Sequence, residues 1–94
     1  MRLVGRKLLD DFGSRHADIR PPMRAWILEI QEGLWSGPGD MKARYPSASI
    51  LAENRVVFNI KGNKYRIEVK VNYELQVVLI LRIGTHHEYS KWKS

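Results

Sequence analysis

Residues 55–72, RVVFNIKGNKYRIEVKVN, decide the fold. Two runs rich in β-branched and aromatic residues flank Gly62-Asn63, a dipeptide suited to a hairpin turn. With those two residues at the turn, Lys61 faces Lys64, Asn59 faces Arg66 and Val57 faces Glu68. Ile60 then faces Tyr65, Phe58 faces Ile67 and Val56 faces Val69. Directly opposed residues share a sheet face, so one face is apolar and predicts a helix layer packed on it. The other presents Asn59, Lys61, Lys64 and Arg66 together. A one-residue slip would mix the two sets. Two opposed lysines repel each other; a phosphate lying over the face would offset that, and so would splaying of both side chains into water at the tip.

Outward from the hairpin, the pattern extends in both directions. Gln76 to Ile83 is nearly continuously apolar and predicts a central strand covered on both faces. Ser49 to Ala52 predicts a strand on the other side, and the short connections imply antiparallel neighbours. Leu3 and Val4 form a short first strand. A helix is expected over Arg6–Arg15, with Leu8, Leu9 and Phe12 at helical spacing. Arg20-Pro21-Pro22 opens a second helix, in which Met23, Trp26, Ile27, Ile30 and Leu34 share one face. Asp40 is expected to N-cap a short helical turn ending at Tyr45, and a little helix is expected after Glu88. The fold class is α+β, with two layers, helices on a twisted antiparallel sheet, in a single domain over 1–94.

Composition narrows the function. The 94 residues contain no cysteine, which removes disulfide frameworks, thiolate metal sites and cysteine nucleophiles. The longest apolar run, Val77 to Leu81, is far short of a membrane span, and the charged start lacks a secretory apolar region, so a cytoplasmic protein is expected. Net charge is +6. Residues 1–54 hold eight Lys/Arg against seven Asp/Glu, whereas residues 55–94 hold eight against three. A basic excess confined to one part of the chain fits a polyanion such as nucleic acid.

Gly84-Thr85-His86-His87-Glu88-Tyr89 follows the last strand directly, a position that presents side chains beside a sheet face. Histidine trades protons near neutral pH, and a tyrosine hydroxyl donates or accepts a hydrogen bond. These groups suit metal-free cleavage of RNA. The 2′-hydroxyl must lose a proton, the 5′-oxygen must gain one, and the phosphorane charge needs fixed cations. Lys61, Lys64 and Arg66 supply cations, with Arg82 at the end of the last strand. His86, His87 and Glu88 are adjacent and lack metal-ligand spacing, so no metal or other cofactor is expected. No G-x-S-x-G is present for a serine nucleophile. Trp26 reads as core and His16 as a helix C-terminal cation. A basic domain that binds RNA, DNA or the ribosome without cutting remains open, as does a protein-docking domain using the helices and the Trp35 region.

RAW (24–26), DMKARYPSASIL (40–51), RVVFNIKGNKYR (55–66) and IGTHHEY (83–89) together resemble the HigB family of toxins from type II toxin–antitoxin modules, within the RelE-like superfamily. The resemblance implies an mRNA endoribonuclease acting on translating ribosomes and silenced by a HigA-like helix-turn-helix antitoxin. It also implies the RelE-like arrangement of helices on an antiparallel sheet. By position, the superfamily's basic sheet residues correspond to Lys61, Lys64 and Arg66, and the residues after the last strand to His86 and Tyr89. The catalytic set expected is therefore Arg66, His86 and Tyr89, with Asn59, Lys61, Lys64 and Arg82 as RNA contacts. The familiar block more often has alanine at His87 and aspartate at Ser90.

Overall fold

The structure, a computed structural model, describes residues 1–92. The hairpin forms in the register its sequence dictates. Strand β3 (Arg55–Ile60) pairs antiparallel with β4 (Tyr65–Asn72), with Ile60 opposite Tyr65, Asn59 opposite Arg66 and Phe58 opposite Ile67. The tip is Lys61–Lys64, where Lys61 and Gly62 take φ of 56° and 64° and the Lys64 N–H donates to the Lys61 carbonyl. Glycine takes that conformation without steric cost; lysine does not, and it turns the side chain away from the strand's alternation.

With β1 (Arg2–Val4), β2 (Ser49–Leu51) and β5 (Val77–Thr85), the sheet has the order β1-β5-β4-β3-β2. All pairings are antiparallel except β1 with β5, which is parallel and joins opposite ends of the sequence. Strand β5 departs from the expectation of cover on both faces. It alternates, leaving Leu79 39% and Leu81 37% exposed, because α1 and α2 cover the other side of the sheet. A bulge opposite Glu68/Val69 leaves Leu81 without a ladder partner, between Ile80 and Arg82.

The helices are α1 (Arg6–Arg15), α2 (Arg20–Glu32), α3 (Pro38–Arg44) and α4 (His86–Tyr89), with a 3₁₀ turn at Ala17–Ile19. Pro21 and Pro22 sit in the first turn of α2, where a missing N–H costs little. Leu9, Phe12, Ile19, Met23, Trp26, Ile27 and Ile30 bury themselves against Phe58, Tyr65, Ile67, Val69, Val78 and Ile80. Each such large side chain contributes about 1.5–3 kcal/mol through its burial.

Two expectations for the helices are corrected. Leu34 is 89% exposed, since α2 stops at Glu32 and Gly33 is extended. The neighbouring Trp35 turns inward instead, its ring lying where a Cβ on Gly33 would stand and its indole N–H donating to the Ile30 carbonyl at 3.2 Å. Trp35 is consequently part of the core rather than of a docking surface. Asp40 is inside the first turn of α3, whose N-cap is Gly37. Its carboxylate accepts from the Ser36 hydroxyl and N–H at 2.6 and 2.8 Å, and those bonds hold it below the usual carboxylate range. Among the described residues no helix is long and apolar enough to cross a membrane.

Candidate active site on the outer sheet face

The face opposite α1 and α2 gathers the chemistry. Arg66 projects from β4 on that face and is only 7% exposed, because α4 folds over it. The fold of α4 is local: Thr85 Oγ1 accepts from the Glu88 N–H, and Glu88 Oε1 accepts from the Thr85 N–H, a capping box. The same backbone N–H holds the Glu88 carboxyl below its ordinary range. The helix is tied down by the His86 N–H, which donates to the Lys64 carbonyl at 2.8 Å.

Arg66 Nη1 donates to the Asn63 and Tyr65 carbonyls at 2.7 and 3.2 Å, so the hairpin itself fixes the guanidinium. Its Nη2 lies 3.0 Å from His86 Nδ1, and its plane lies over the Tyr89 ring, 5.1 Å from the centroid. A guanidinium only donates, so Nδ1 must be the acceptor and the imidazole carries its proton on Nε2. Arg66, His86 and Tyr89 are thus brought together. They come from the second residue of β4 and from the first and last residues of α4.

The RNA-contact residues divide. Asn59 stays beside Arg66, its Nδ2 near the Ser47 carbonyl at 3.4 Å and Asn63 Oδ1 at 3.5 Å. Lys61 and Lys64 depart from the expected polar face. Both ammonium groups converge on Asp18 Oδ2, at 3.1 and 2.5 Å, and the Tyr65 hydroxyl donates to Asp18 Oδ1 at 2.6 Å. Tyr65 belongs to the helix-packed face, so the two lysines sit on the helix side of the tip. The physical reason is the positive φ of Lys61 together with a carboxylate supplied by the 3₁₀ turn. The lysine and tyrosine bonds hold the Asp18 carboxyl well below its ordinary range, Lys64 foremost, while Asp18 holds the Lys64 ammonium and the Tyr65 hydroxyl above theirs.

Arg82 points onto the same face as Arg66, and there the structure adds residues that the sequence did not single out. Glu68, 3% exposed, takes Arg82 Nε on Oε1 at 2.7 Å and Arg55 Nη1 on Oε2 at 3.2 Å. The Arg82 guanidinium lies over Trp92, 4.5 Å from the ring centroid, and Trp92 meets the Tyr89 ring edge-on. A cleft of about 70 Å³ opens between Arg55, Glu68, Arg82, Tyr89 and Trp92. The available signal was the pairing of Val57 with Glu68, which already put a carboxylate on the basic face. A cavity of about 660 Å³ lies at the other end of the sheet around Arg2, Lys70, Tyr73, Leu75 and Leu79 and includes none of Arg66, His86 and Tyr89. Among the described residues no three His, Asp or Glu side chains converge as metal ligands would.

Residues 19–92 match the sequence profile of HigB_toxin, the RelE-like toxic component of a toxin-antitoxin system. The chain belongs to the HigB toxin family. The mRNA interferase toxin HigB of Escherichia coli K12 is 30% identical to it over 91 residues, covering 95% of this chain and 88% of that protein. The mRNA interferase HigB proteins of Escherichia coli O157:H7 and Shigella flexneri match with the same identity and coverage. The two-layer α+β structure fits a RelE-like HigB toxin, and every residue of the outer-face cluster lies inside the matched span.

Proposed function

We propose that this HigB family member is an mRNA endoribonuclease, a toxin that stops translation by cutting messages through their own 2′-hydroxyl. The observation that carries this is the convergence of Arg66, His86 and Tyr89 at one point of a basic face, supported by the mRNA interferase names of the relatives. The 2′-oxygen loses its proton, bonds to the adjacent phosphorus and closes a 2′,3′-cyclic phosphate. The bond to the 5′-oxygen breaks, and that oxygen takes up a proton. Arg66 faces the charge that accumulates on phosphorus.

The resting bond between Arg66 and His86 gives the substrate a part in switching on the site. While Arg66 Nη2 holds Nδ1, the ring offers only its Nε2–H, a donor. A scissile phosphate that draws Nη2 to its own oxygen releases Nδ1 to accept a proton. His86 then serves as the proton carrier, with the Tyr89 hydroxyl as the second group and its ring as the platform for Arg66. Asn59 and Arg82 contact flanking nucleotides. Lys61 and Lys64 reach RNA when phosphate replaces Asp18. No metal is needed for this chemistry. The substrate is mRNA on the ribosome, the site of action is the cytoplasm, and the partner is a HigA-like helix-turn-helix antitoxin that brings acidic side chains to the basic face.

The test uses labelled RNA in a translating extract. Wild-type protein should leave a 2′,3′-cyclic or 3′-phosphate and a 5′-hydroxyl, in the presence of chelator. His86→Ala should keep RNA binding and lose cleavage by about two to four orders of magnitude. Full cleavage by that variant removes His86 from the reaction. Binding without any cleavage by the wild type leaves a non-catalytic RNA- or ribosome-binding module.

A further inference from the structure

Glu68 is a costly residue in its position. A carboxylate taken out of water regains its hydration energy only through close ion pairs, and an apolar side chain of similar volume often serves stability as well. What an apolar residue cannot do is aim two guanidiniums. Glu68 holds Arg82 by Nε and Arg55 by Nη1, and Arg55 is held a second time by its Nε, which donates to the Ala52 carbonyl at 3.2 Å. Trp92 supports the Arg82 guanidinium from its ring face. It can lie there because residue 84 is glycine: a Cβ at Gly84 would stand 2.9 Å from Trp92 Cζ2. Two guanidiniums thus flank one carboxylate at the mouth of the cleft.

The spacing relates this cluster to Arg66. Glu68 follows Arg66 by two residues on the same face of β4, so the two stand about 6.6 Å apart along the strand, comparable with the step between phosphates of an extended single strand. The same direction runs from Tyr89 to Trp92 along the far wall.

We propose that Arg55 and Arg82, aimed by Glu68, form a second phosphate seat that holds the phosphodiester next to the scissile one. Arg55 is a binding residue in this scheme and Glu68 a positioning residue. The proposal rests on RNA as the ligand of this face, and it extends that reading with a defined neighbouring subsite.

The experiment is a binding titration with a single-stranded oligoribonucleotide carrying 2′-O-methyl groups, which cannot be cut, repeated over a range of salt. Each phosphate contact on a single strand contributes about 0.7 to the slope of log K against log salt. Arg55→Gln keeps a donor for Glu68 and removes the charge, so its slope should be shallower by about that amount. Glu68→Gln raises the net charge of the face and would tighten binding if the carboxylate were merely structural; as the positioning residue, its loss should weaken binding instead. A third readout needs no change to the cluster's charges. Trp26 and Trp35 are 2% and 8% exposed, so RNA-dependent indole fluorescence should come from Trp92 and vanish in Trp92→Phe. Unchanged slope for Arg55→Gln, tighter binding for Glu68→Gln or a silent Trp92 each overturns the seat. Cleavage of unmodified RNA by the wild type, measured alongside, reports on the enzymatic reading separately.

Discussion

Arg66→Ala separates a catalytic guanidinium from a structural one, because the contacts it removes set the size of each effect. The substitution removes two bonds to carbonyls, at 2.7 and 3.2 Å, and the 3.0 Å contact to His86. Water replaces the bond to Asn63 at the exposed tip. The Tyr65 carbonyl is buried and loses a donor, which costs about 1–3 kcal/mol. Loss of the stacking on Tyr89 adds about 0.5–1 kcal/mol. A domain of this size starts with about 5–15 kcal/mol, so even the unfavourable limit leaves roughly 1 kcal/mol and a folded-to-unfolded ratio of about 5. Unfolding would therefore remove about one sixth of the activity at most. Loss of a preorganised cation facing the phosphorane removes about 10²- to 10³-fold. Cleavage kinetics on one RNA substrate, paired with urea denaturation of the same preparation, resolve the two. Cleavage within about threefold of wild type, or a loss that follows the unfolded fraction, would refute the role given to Arg66.

Three further perturbations follow from the same geometry. Tyr89→Phe keeps the ring under Arg66, so a large drop in cleavage with unchanged RNA binding assigns proton transfer to the hydroxyl, whereas wild-type rates reduce Tyr89 to a platform. Asp18→Asn should release Lys61 and Lys64, tightening RNA binding and steepening its salt dependence; a salt slope that stays put means that the lysines remain on the helix side. Asp18 also makes stability depend on pH. Its carboxyl is held below its ordinary 3.8, so the unfolded chain binds the extra proton, and the clamp's contribution is complete above about pH 5 and fades in acid. Denaturant curves should show wild type more stable than Asp18→Asn at neutral pH and the difference shrinking toward about pH 2; a gap that does not change with pH contradicts the clamp.

The parts of the fold set by short-range pattern were legible from the sequence. The register of β3 with β4 followed from alternation on both sides of Gly62-Asn63, and α1 has the expected bounds, Arg6–Arg15. Arg66, His86 and Tyr89 were grouped through the family resemblance, and the short helix that carries two of them starts at His86 rather than after Glu88, because the Thr85–Glu88 capping box sets its first turn. What escaped depended on distant partners. Asp18 is 43 and 46 residues from the lysines it holds, and no local pattern announces that pairing. Glu68 is paired with Arg55 and Arg82 on the two neighbouring strands, so its burial is a property of the assembled sheet. Leu34 and Trp35 compete for the same core position after α2, and the break at Gly33, which helical periodicity ignores, decides for the indole.

The parallel pairing of β1 with β5 orders events during synthesis. Arg2 lies opposite Val77, and the ladder that places Gly84 opposite Arg66 belongs to the same last strand. At about 5–20 residues per second, the N-terminal strand waits about 4–15 s for its partner to be made. Until then the sheet has no β5, α4 does not exist, and Arg66 has neither His86 nor Tyr89 beside it. A nascent toxin of this design is harmless through most of its own translation, and a message broken upstream of codon 77 yields a chain with an open sheet and an incomplete site. Chains truncated after Gln76 and released from the ribosome should accordingly be cut by protease within β4 and be unable to cleave RNA, while released full-length chains resist the protease and cleave.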